Sequence, residues 1–80
     1  MDEMENRLVR CFSSVFPDLS AEQIRAASVE SVPAWDSLAA VTLVAVLQEE
    51  FGLQISLMDL PDLVSFVAVE KYVREHNSAS

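Results

Sequence analysis

Glycine and cysteine each occur once in this chain of 80 residues, and proline occurs three times. Sandwiches and barrels need many tight turns, so this scarcity of glycine and proline disfavours them and favours helices. The single cysteine, Cys11, excludes an internal disulfide framework. Because 51% of the residues are hydrophobic, the chain is apolar enough to fold, and its length predicts one domain.

Positive charge is also scarce. Five Lys and Arg residues stand against 13 Asp and Glu, which gives a formal net charge of -8. The negative electrostatic field of such a chain repels nucleic acid and anionic lipid, so we expect neither as a partner. The same field attracts basic protein surfaces. The acidic N-terminus, Met1-Asp2-Glu3, lacks the apolar run of a signal peptide, and no stretch is long enough to span a bilayer. A cytoplasmic protein is expected.

Histidine occurs once, as His76, far along the chain from Cys11. One histidine and one cysteine do not supply the usual ligands of a zinc site, and no glycine-rich phosphate loop is present. A triad built on Ser37 and His76 would need distant segments to form a pocket. We therefore predict no metal site and no enzymatic activity, with Cys11 as a small buried side chain.

Apolar spacing predicts a first helix over residues 3–16, ended by Pro17. Its inner stripe is expected to comprise Met4, Leu8, Cys11 and Val15, with Phe12 at the edge. Residues 17–36 form a long loop in which Ser20 and Gln23 suit a capping box. The loop residues expected to reach the core are Leu19, Ile24, Val29, Val32 and Trp35, and the residues expected to fill core gaps are Met4 and Met58.

The clearest helix covers residues 37–51, with Asp36 as its N-cap and Gly52 at its left-handed stop. A short turn is expected within 55–63, capped by Ser56, and a last helix over 66–76, capped by Ser65. These elements predict an all-α fold, a small four-helix bundle with a long first loop and a short third helix. Residues 1–76 form one domain, and the tail 77–80 is expected to fray.

The helix 37–51 is apolar on two sides. One side is an ordinary core stripe, made of Ala40, Leu43, Val44, Leu47 and Phe51. The opposite side carries Leu38, Val41 and Ala45 on the first turns. Two explanations remain open: the helix is buried on most sides, or the second patch is exposed and used for docking.

Ser37 would occupy the first position of this helix, where backbone N–H groups lack partners and the dipole favours negative charge. A phosphodiester on the Ser37 hydroxyl would be well placed there. The alternative is that Asp36 and Ser37 only cap a helix.

The wider pattern resembles the acyl carrier and peptidyl carrier protein family. The resemblance rests on Trp35-Asp36-Ser37-Leu38, Val41, Leu43-Val44, Leu47 and Glu49-Glu50-Phe51-Gly52, and it extends through Ile55 to Phe66 and Tyr72. It implies that a phosphopantetheinyl transferase attaches 4'-phosphopantetheine from coenzyme A to Ser37. The arm would then carry an acyl or aminoacyl group as a thioester, loaded by a ligase and passed to downstream acyl-transfer enzymes.

The resemblance also implies roles for other residues. Asp36 and Leu38 would be recognised by the transferase, and the partner-docking face would comprise Leu38, Val41 and Ala45. The core or acyl-pocket positions would be Ala40, Leu43, Leu47, Phe51 and Ile55. A monomer is expected.

Two departures from fatty-acid carriers narrow the expectation. The residues before Asp36-Ser37-Leu38 are Pro33-Ala34-Trp35, without the glycine that fatty-acid carriers usually have shortly before the aspartate. Residues Ala39, Thr42 and Gln48 stand where those carriers have acidic residues on the partner face. Trp35 looks more like aminoacyl, D-alanyl or secondary-metabolite carriers, and fatty acid, polyketide and nonribosomal peptide biosynthesis all stay open. The rival interpretations are an unmodified carrier-like helical adaptor acting only through protein contacts, and a bundle that dimerises through its second apolar patch.

Overall fold

The structure, a computed structural model, describes residues 3–77, apart from the side chains of Leu57 and Asn77. Its elements in chain order are α1 (Glu3–Val15), α2 (Ala21–Arg25), α3 (Ser37–Phe51), a 3₁₀ helix (Leu57–Asp62) and α4 (Phe66–Asn77). The predicted all-α bundle is confirmed. The last helix includes Asn77, which the sequence assigned to the fraying tail, and residues 78–80 of that tail lie outside the described part.

Helix α3 begins and ends where its sequence predicts. The Asp36 carboxylate accepts a hydrogen bond from the Ala39 N–H at 2.9 Å. Gly52 adopts the left-handed conformation, with φ of 63°, and its N–H bonds to the Gln48 carbonyl oxygen. Because a left-handed residue suits glycine and interrupts the helix, the chain turns away at this point.

Serine caps start the shorter elements. Ser20 and Gln23 form the predicted capping box, with the Ser20 N–H donating to Gln23 Oε1 at 2.8 Å, so the long loop contains the single-turn helix α2. Ser56 Oγ accepts from the Met58 N–H, and Ser65 Oγ accepts from the Ala68 N–H, each at 3.1 Å. The short turn expected within 55–63 is therefore a 3₁₀ helix, Leu57–Asp62, that follows the Ser56 cap.

Phe12 lies at the centre of the core and is fully buried. Its ring meets Trp35 edge-on at 5.5 Å between centroids and Phe66 at 5.1 Å. The prediction that Phe12 marks the edge of the α1 stripe is wrong, because residues from the long loop and α4 cover that side. Three elements thus meet at one aromatic cluster.

The expectations for the loop residues and for Met58 are partly wrong. Ile24, Val32 and Trp35 are buried, whereas Val29 is 39% exposed and Met58 is 87% exposed. The Val29 N–H bonds to the Val64 carbonyl oxygen at 2.9 Å, so the backbone rather than the side chain attaches this residue to the fold. Met58 lies on the 3₁₀ helix and faces solvent instead of filling a core gap.

Arg7 joins α1 to the end of α3. Its Nε lies 2.8 Å from a Glu50 carboxylate oxygen, and its guanidinium carbon lies 4.6 Å from the centroid of the Phe51 ring. Both charged side chains are partly exposed, so the ion pair contributes about 1 kcal/mol or less. The contact covers Phe51 at the open end of the core.

Two side chains hold the segment that follows α3. Gln48 Oε1 accepts a hydrogen bond from the Ile55 N–H at 2.8 Å, and the Tyr72 hydroxyl donates to the Asp59 carboxylate at 2.8 Å. Desolvation and the neighbouring Asp59 charge raise the pKa of Tyr72, so its hydroxyl stays a donor. The Tyr72–Asp59 bond thus fixes the 3₁₀ helix to α4, and the Gln48–Ile55 bond fixes the residues before it to α3.

None of the helices within residues 3–77 combines the length and the apolar character that crossing a membrane requires.

Candidate functional site

Ser37 is the first residue of α3, and its side chain is exposed. The neighbouring Asp36 caps the helix: its carboxylate takes the Ala39 N–H and its carbonyl takes the Ala40 N–H, both at 2.9 Å. The N–H groups of Ser37 and Leu38 have no acceptor among the described residues. The hydroxyl therefore stands at an open helix end with free donors and a favourable dipole for a negative group.

A shallow, open cleft of about 490 Å³ lies beside the Ser37 hydroxyl. It lies between the start of α3 and the 3₁₀ helix. Its lining residues are Trp35, Asp36, Ser37, Ala40, Val41, Leu60 and Pro61. Most of these side chains are apolar, so the cleft offers a largely hydrophobic surface next to an exposed hydroxyl.

The second apolar patch of α3 is exposed. Leu38 has 76% of its surface accessible and Val41 has 48%, and Ala45 is exposed one turn further along. Of the two explanations left open by the sequence, burial by the protein's own chain is therefore wrong at these positions. An unpartnered row of apolar side chains beside Ser37 suits contact with another molecule.

The residues assigned to the core or an acyl pocket fall into two groups. Four of them are buried in the common core: Leu43, Leu47, Phe51 and Ile55. Ala40 differs, because it is half-buried and lines the cleft beside Ser37. Only Ala40 of this set thus borders the open space next to the hydroxyl.

Gln48 and Ala39 are poorly placed for a docking role. The Gln48 side chain accepts from the Ile55 N–H, and Ala39 is half-buried against the core. Both side chains are thus engaged with their own fold rather than presented to a partner. Thr42 remains exposed, with its hydroxyl donating to the Leu38 carbonyl oxygen at 3.0 Å.

Leu60 and Pro61 are site residues that the sequence reasoning missed. They line the cleft from the 3₁₀ helix, a segment whose conformation the sequence left ambiguous. The proline inside that segment was the available signal, since it favours a short irregular turn over a regular α-helix. Trp35 was expected only to reach the core, yet it also lines the cleft.

Cys11 and His76 occupy structural positions. The Cys11 thiol is buried, and this burial, with a smaller contribution from the Glu50 charge, raises its pKa from 9.0 to about 11. His76 stacks on Tyr72 with 3.9 Å between ring centroids, and its Nδ1 lies 2.8 Å from the Tyr72 carbonyl oxygen. Within residues 3–77, no cluster of three or more His, Cys, Asp or Glu residues could hold a metal ion.

The Cys11 thiol makes the folded state sensitive to alkaline pH. Because its folded pKa is raised, the protonated thiol stabilises the fold below pH 9, and this contribution is lost as pH rises through about 11. We expect a loss on the order of 2–3 kcal/mol in the free energy of unfolding. Urea titrations at neutral pH and near pH 11 measure it.

Cys11→Ala is the matched control for that measurement. The variant loses some packing at every pH, but its stability should fall less between the two pH values than that of the parent protein. An equal fall in both proteins would show that the buried thiol contributes nothing to the alkaline sensitivity.

A helical bundle with an exposed serine at a helix start, a cleft beside it and an exposed row of apolar side chains has the features of a carrier-type domain. Residues 35–73 match the family model of the phosphopantetheine attachment site. The match is consistent with the family of acyl and peptidyl carrier proteins, whose domains hold 4'-phosphopantetheine covalently and carry groups rather than catalyse reactions. No curated protein and no solved structure shows significant similarity to the chain.

The residues at the head of α3 fit this cofactor. Ser37 supplies an exposed hydroxyl, and the free N–H groups of Ser37 and Leu38 are suited to a phosphate oxygen. The Asp36 carboxylate accepts the Ala39 N–H, so this hydrogen bond partly offsets its repulsion of a phosphate on Ser37. The cleft next to Ser37 has room for part of a flexible arm.

Proposed function

We propose that Ser37 carries the 4'-phosphopantetheine arm and that the protein delivers acyl or aminoacyl thioesters to partner enzymes. The observation that carries the proposal is the position of the Ser37 hydroxyl. It is exposed on the first turn of α3, with the cleft and the apolar row of Leu38 and Val41 beside it. When attached, the arm supplies a thiol that holds the cargo as a reactive thioester.

Attachment would use the Ser37 hydroxyl as the nucleophile. Its Oγ forms a bond to the phosphorus that bears the pantetheine in coenzyme A, while the pyrophosphate P–O bond breaks and the nucleotide leaves as a bisphosphate. The hydroxyl proton goes to a base of the transferase. The result is a phosphodiester that adds about one negative charge beside the free N–H groups of α3.

Docking would depend mainly on apolar contact. The face beside Ser37 presents Leu38, Val41 and Ala45, and the positions of Ala39 and Gln48 carry no charge. Salt screening does not weaken apolar burial, whereas contact between charged rims weakens as salt rises. We therefore expect weak, reversible and largely salt-insensitive binding to the transferase, the loading ligase and downstream acyl-transfer enzymes.

In this proposal the protein acts as a single carrier domain over residues 1–76, as a monomer, in the cytoplasm. The excess of 13 acidic over 5 basic residues would help encounters with basic partner surfaces without fixing the bound orientation.

The direct test is enzymatic modification. The purified protein is incubated with coenzyme A and a broad-specificity phosphopantetheinyl transferase, and its intact mass is recorded. We expect the gain of one phosphopantetheine per chain. No gain under conditions that fully modify a known carrier would contradict the proposal and favour the unmodified adaptor, and concentration-dependent association of the unmodified chain would favour the dimerising bundle.

Leu38→Asp tests the docking face. The change puts a charge where we propose that a partner buries an apolar side chain, and it should lower kcat/KM for the transferase about tenfold or more, equivalent to at least about 1.4 kcal/mol. The measurement is the initial rate of phosphopantetheine uptake at several protein concentrations.

Val67→Asp is a matched control for Leu38→Asp. Val67 is the second residue of α4, as Leu38 is of α3, and it is 65% exposed. The new charge therefore meets the same kind of helix end in both variants. Equal uptake rates in the two variants would contradict the assigned docking face.

A further inference from the structure

Trp35 carries a buried hydrogen-bond donor without a partner. Its side chain is only 4% exposed, and its indole N–H has no acceptor among the described residues. Burying a donor in this way destabilises the fold, because the bond to water is lost and nothing replaces it. Such an atom in a native fold points to a use outside packing.

The location of this donor is informative. One part of Trp35 packs in the core, with ring centroids 5.5 Å from Phe12 and 5.7 Å from Phe16. Another part lines the cleft next to Ser37. Trp35 therefore lies between the core and the cleft, two residues before the hydroxyl that the proposed function modifies.

We propose that the Trp35 indole N–H binds a carbonyl oxygen of the pantetheine arm or of its thioester cargo lodged in the cleft. If the acceptor is a carbonyl of the acyl chain, Trp35 favours cargo that bears one over saturated chains; if it is an amide or the thioester carbonyl, Trp35 positions the arm whatever the cargo. This inference rests on the proposed function, because it needs an arm on Ser37 to bring the carbonyl to the cleft.

The chemistry of the cleft selects a neutral acceptor. An indole N–H only donates, so its partner must accept. The remaining walls include Ala40, Val41 and Leu60, which suit the carbon skeleton of the ligand but leave the N–H unpaired. The Asp36 carboxylate at the same cleft disfavours an anionic group. A carbonyl oxygen on a carbon chain accepts a hydrogen bond, is uncharged and is attached to an apolar skeleton, so it suits the N–H, the carboxylate and the apolar walls.

Access to the indole N–H requires movement, because the atom is sealed in the structure described above. The 3₁₀ helix is the wall that moves in this proposal. It contributes Leu60 and Pro61 to the cleft, and the Tyr72 hydroxyl attaches it to α4 through Asp59. A short, proline-containing 3₁₀ helix shifts at lower cost than α3, whose side chains form much of the core.

Trp35 is the only tryptophan of the chain, so one indole N–H signal in a proton–nitrogen NMR spectrum reports on the site. Spectra are compared for the unmodified protein, the protein bearing the arm, and the protein loaded with a saturated acyl or a 3-oxoacyl group. Formation of the bond moves the signal downfield and slows exchange of its proton with water. A change that appears with the arm alone identifies an arm amide. One that appears with both acyl groups but not with the arm alone identifies the thioester carbonyl, and one that appears only with the 3-oxoacyl group identifies the carbonyl of the acyl chain.

Replacing Trp35 by 3-benzothienylalanine provides the matched variant, since sulfur takes the place of the N–H in a side chain of the same shape. The loaded variant should react with added hydroxylamine up to about tenfold faster at its thioester, equivalent to about 1.4 kcal/mol, because the bond that holds the arm in the cleft is lost. Equal rates in the variant and the parent would overturn the inference, as would an indole signal unchanged in every loaded form. If the chain accepts no arm, the proposed function itself fails. If it accepts the arm but the indole signal and the hydroxylamine rate do not respond, only this inference fails, so the two failures are distinguishable.

Discussion

Ser37→Ala is expected to take up no phosphopantetheine while folding as the parent protein does. The variant lacks the oxygen that would form the bond to phosphorus, and no other residue shares its place at the open end of α3. Its effect on uptake should therefore be complete rather than partial. The intact mass after incubation with coenzyme A and the transferase measures uptake, and a urea titration measures the free energy of unfolding.

The stability change of Ser37→Ala should be small. The side chain is exposed, and the Asp36 carboxylate, rather than Ser37, caps α3. We expect a loss of about 1 kcal/mol or less. Loss of uptake together with loss of folding would leave the chemical role of the hydroxyl unsupported.

Ser20→Ala is the control for this variant. Ser20 is also an exposed serine at a helix start, and its Oγ accepts the Gln23 N–H at 3.2 Å. Removing this cap should cost about 1 kcal/mol without affecting uptake. Uptake that disappears in Ser20→Ala, or persists in Ser37→Ala, would contradict the assignment.

Phe12→Ala is expected to cause a large loss of stability, roughly 3–5 kcal/mol. The fully buried ring contacts Trp35 and Phe66, so its removal leaves a cavity where α1, the long loop and α4 meet. For a domain of this size the loss is a large fraction of the total free energy of unfolding, which is about 5–15 kcal/mol for typical proteins. Thermal and urea unfolding of the variant measure the effect.

Phe51→Ala gives the comparison within the same core. Phe51 is 9% exposed and lies under the Arg7 guanidinium, so the core can relax toward solvent after its removal. The loss should be smaller than for Phe12→Ala. The reverse order of the two variants would contradict the position of Phe12 at the centre of the core.

The helices could be predicted from local signals. Asp36 and Gly52 fix α3 because a carboxylate cap and a left-handed glycine act within one turn of the residues they affect. The Ser20 capping box was visible for the same reason. The apolar spacing of α1 also gave its bounds to within one residue of Glu3–Val15.

Contacts between segments that are distant in the chain could be predicted less well from the sequence. Phe12 was expected at an edge because its spacing within α1 does not reveal that Trp35 and Phe66 pack on it from other elements. Val29 and Met58 were expected in the core on hydrophobicity alone, but backbone pairing with Val64 and the 3₁₀ geometry leave both side chains exposed. These outcomes depend on tertiary structure, which periodicity does not encode.

The candidate site shows the same division. The position of Ser37 at the start of α3 and the apolar row beside it follow from spacing within one helix. The cleft depends on how the 3₁₀ helix approaches α3, and the unpaired indole N–H of Trp35 depends on what surrounds it in the core. Neither could be derived before the segments were placed together.

Locating the added group within the chain tests the central claim most directly. After incubation with coenzyme A and the transferase, the protein is digested and its peptides are sequenced by mass spectrometry. We predict that the peptide containing Ser37 carries one phosphopantetheine on that serine and that every other serine is unmodified. An arm on another residue, or an unmodified Ser37 in a fully active transferase reaction, would contradict the account.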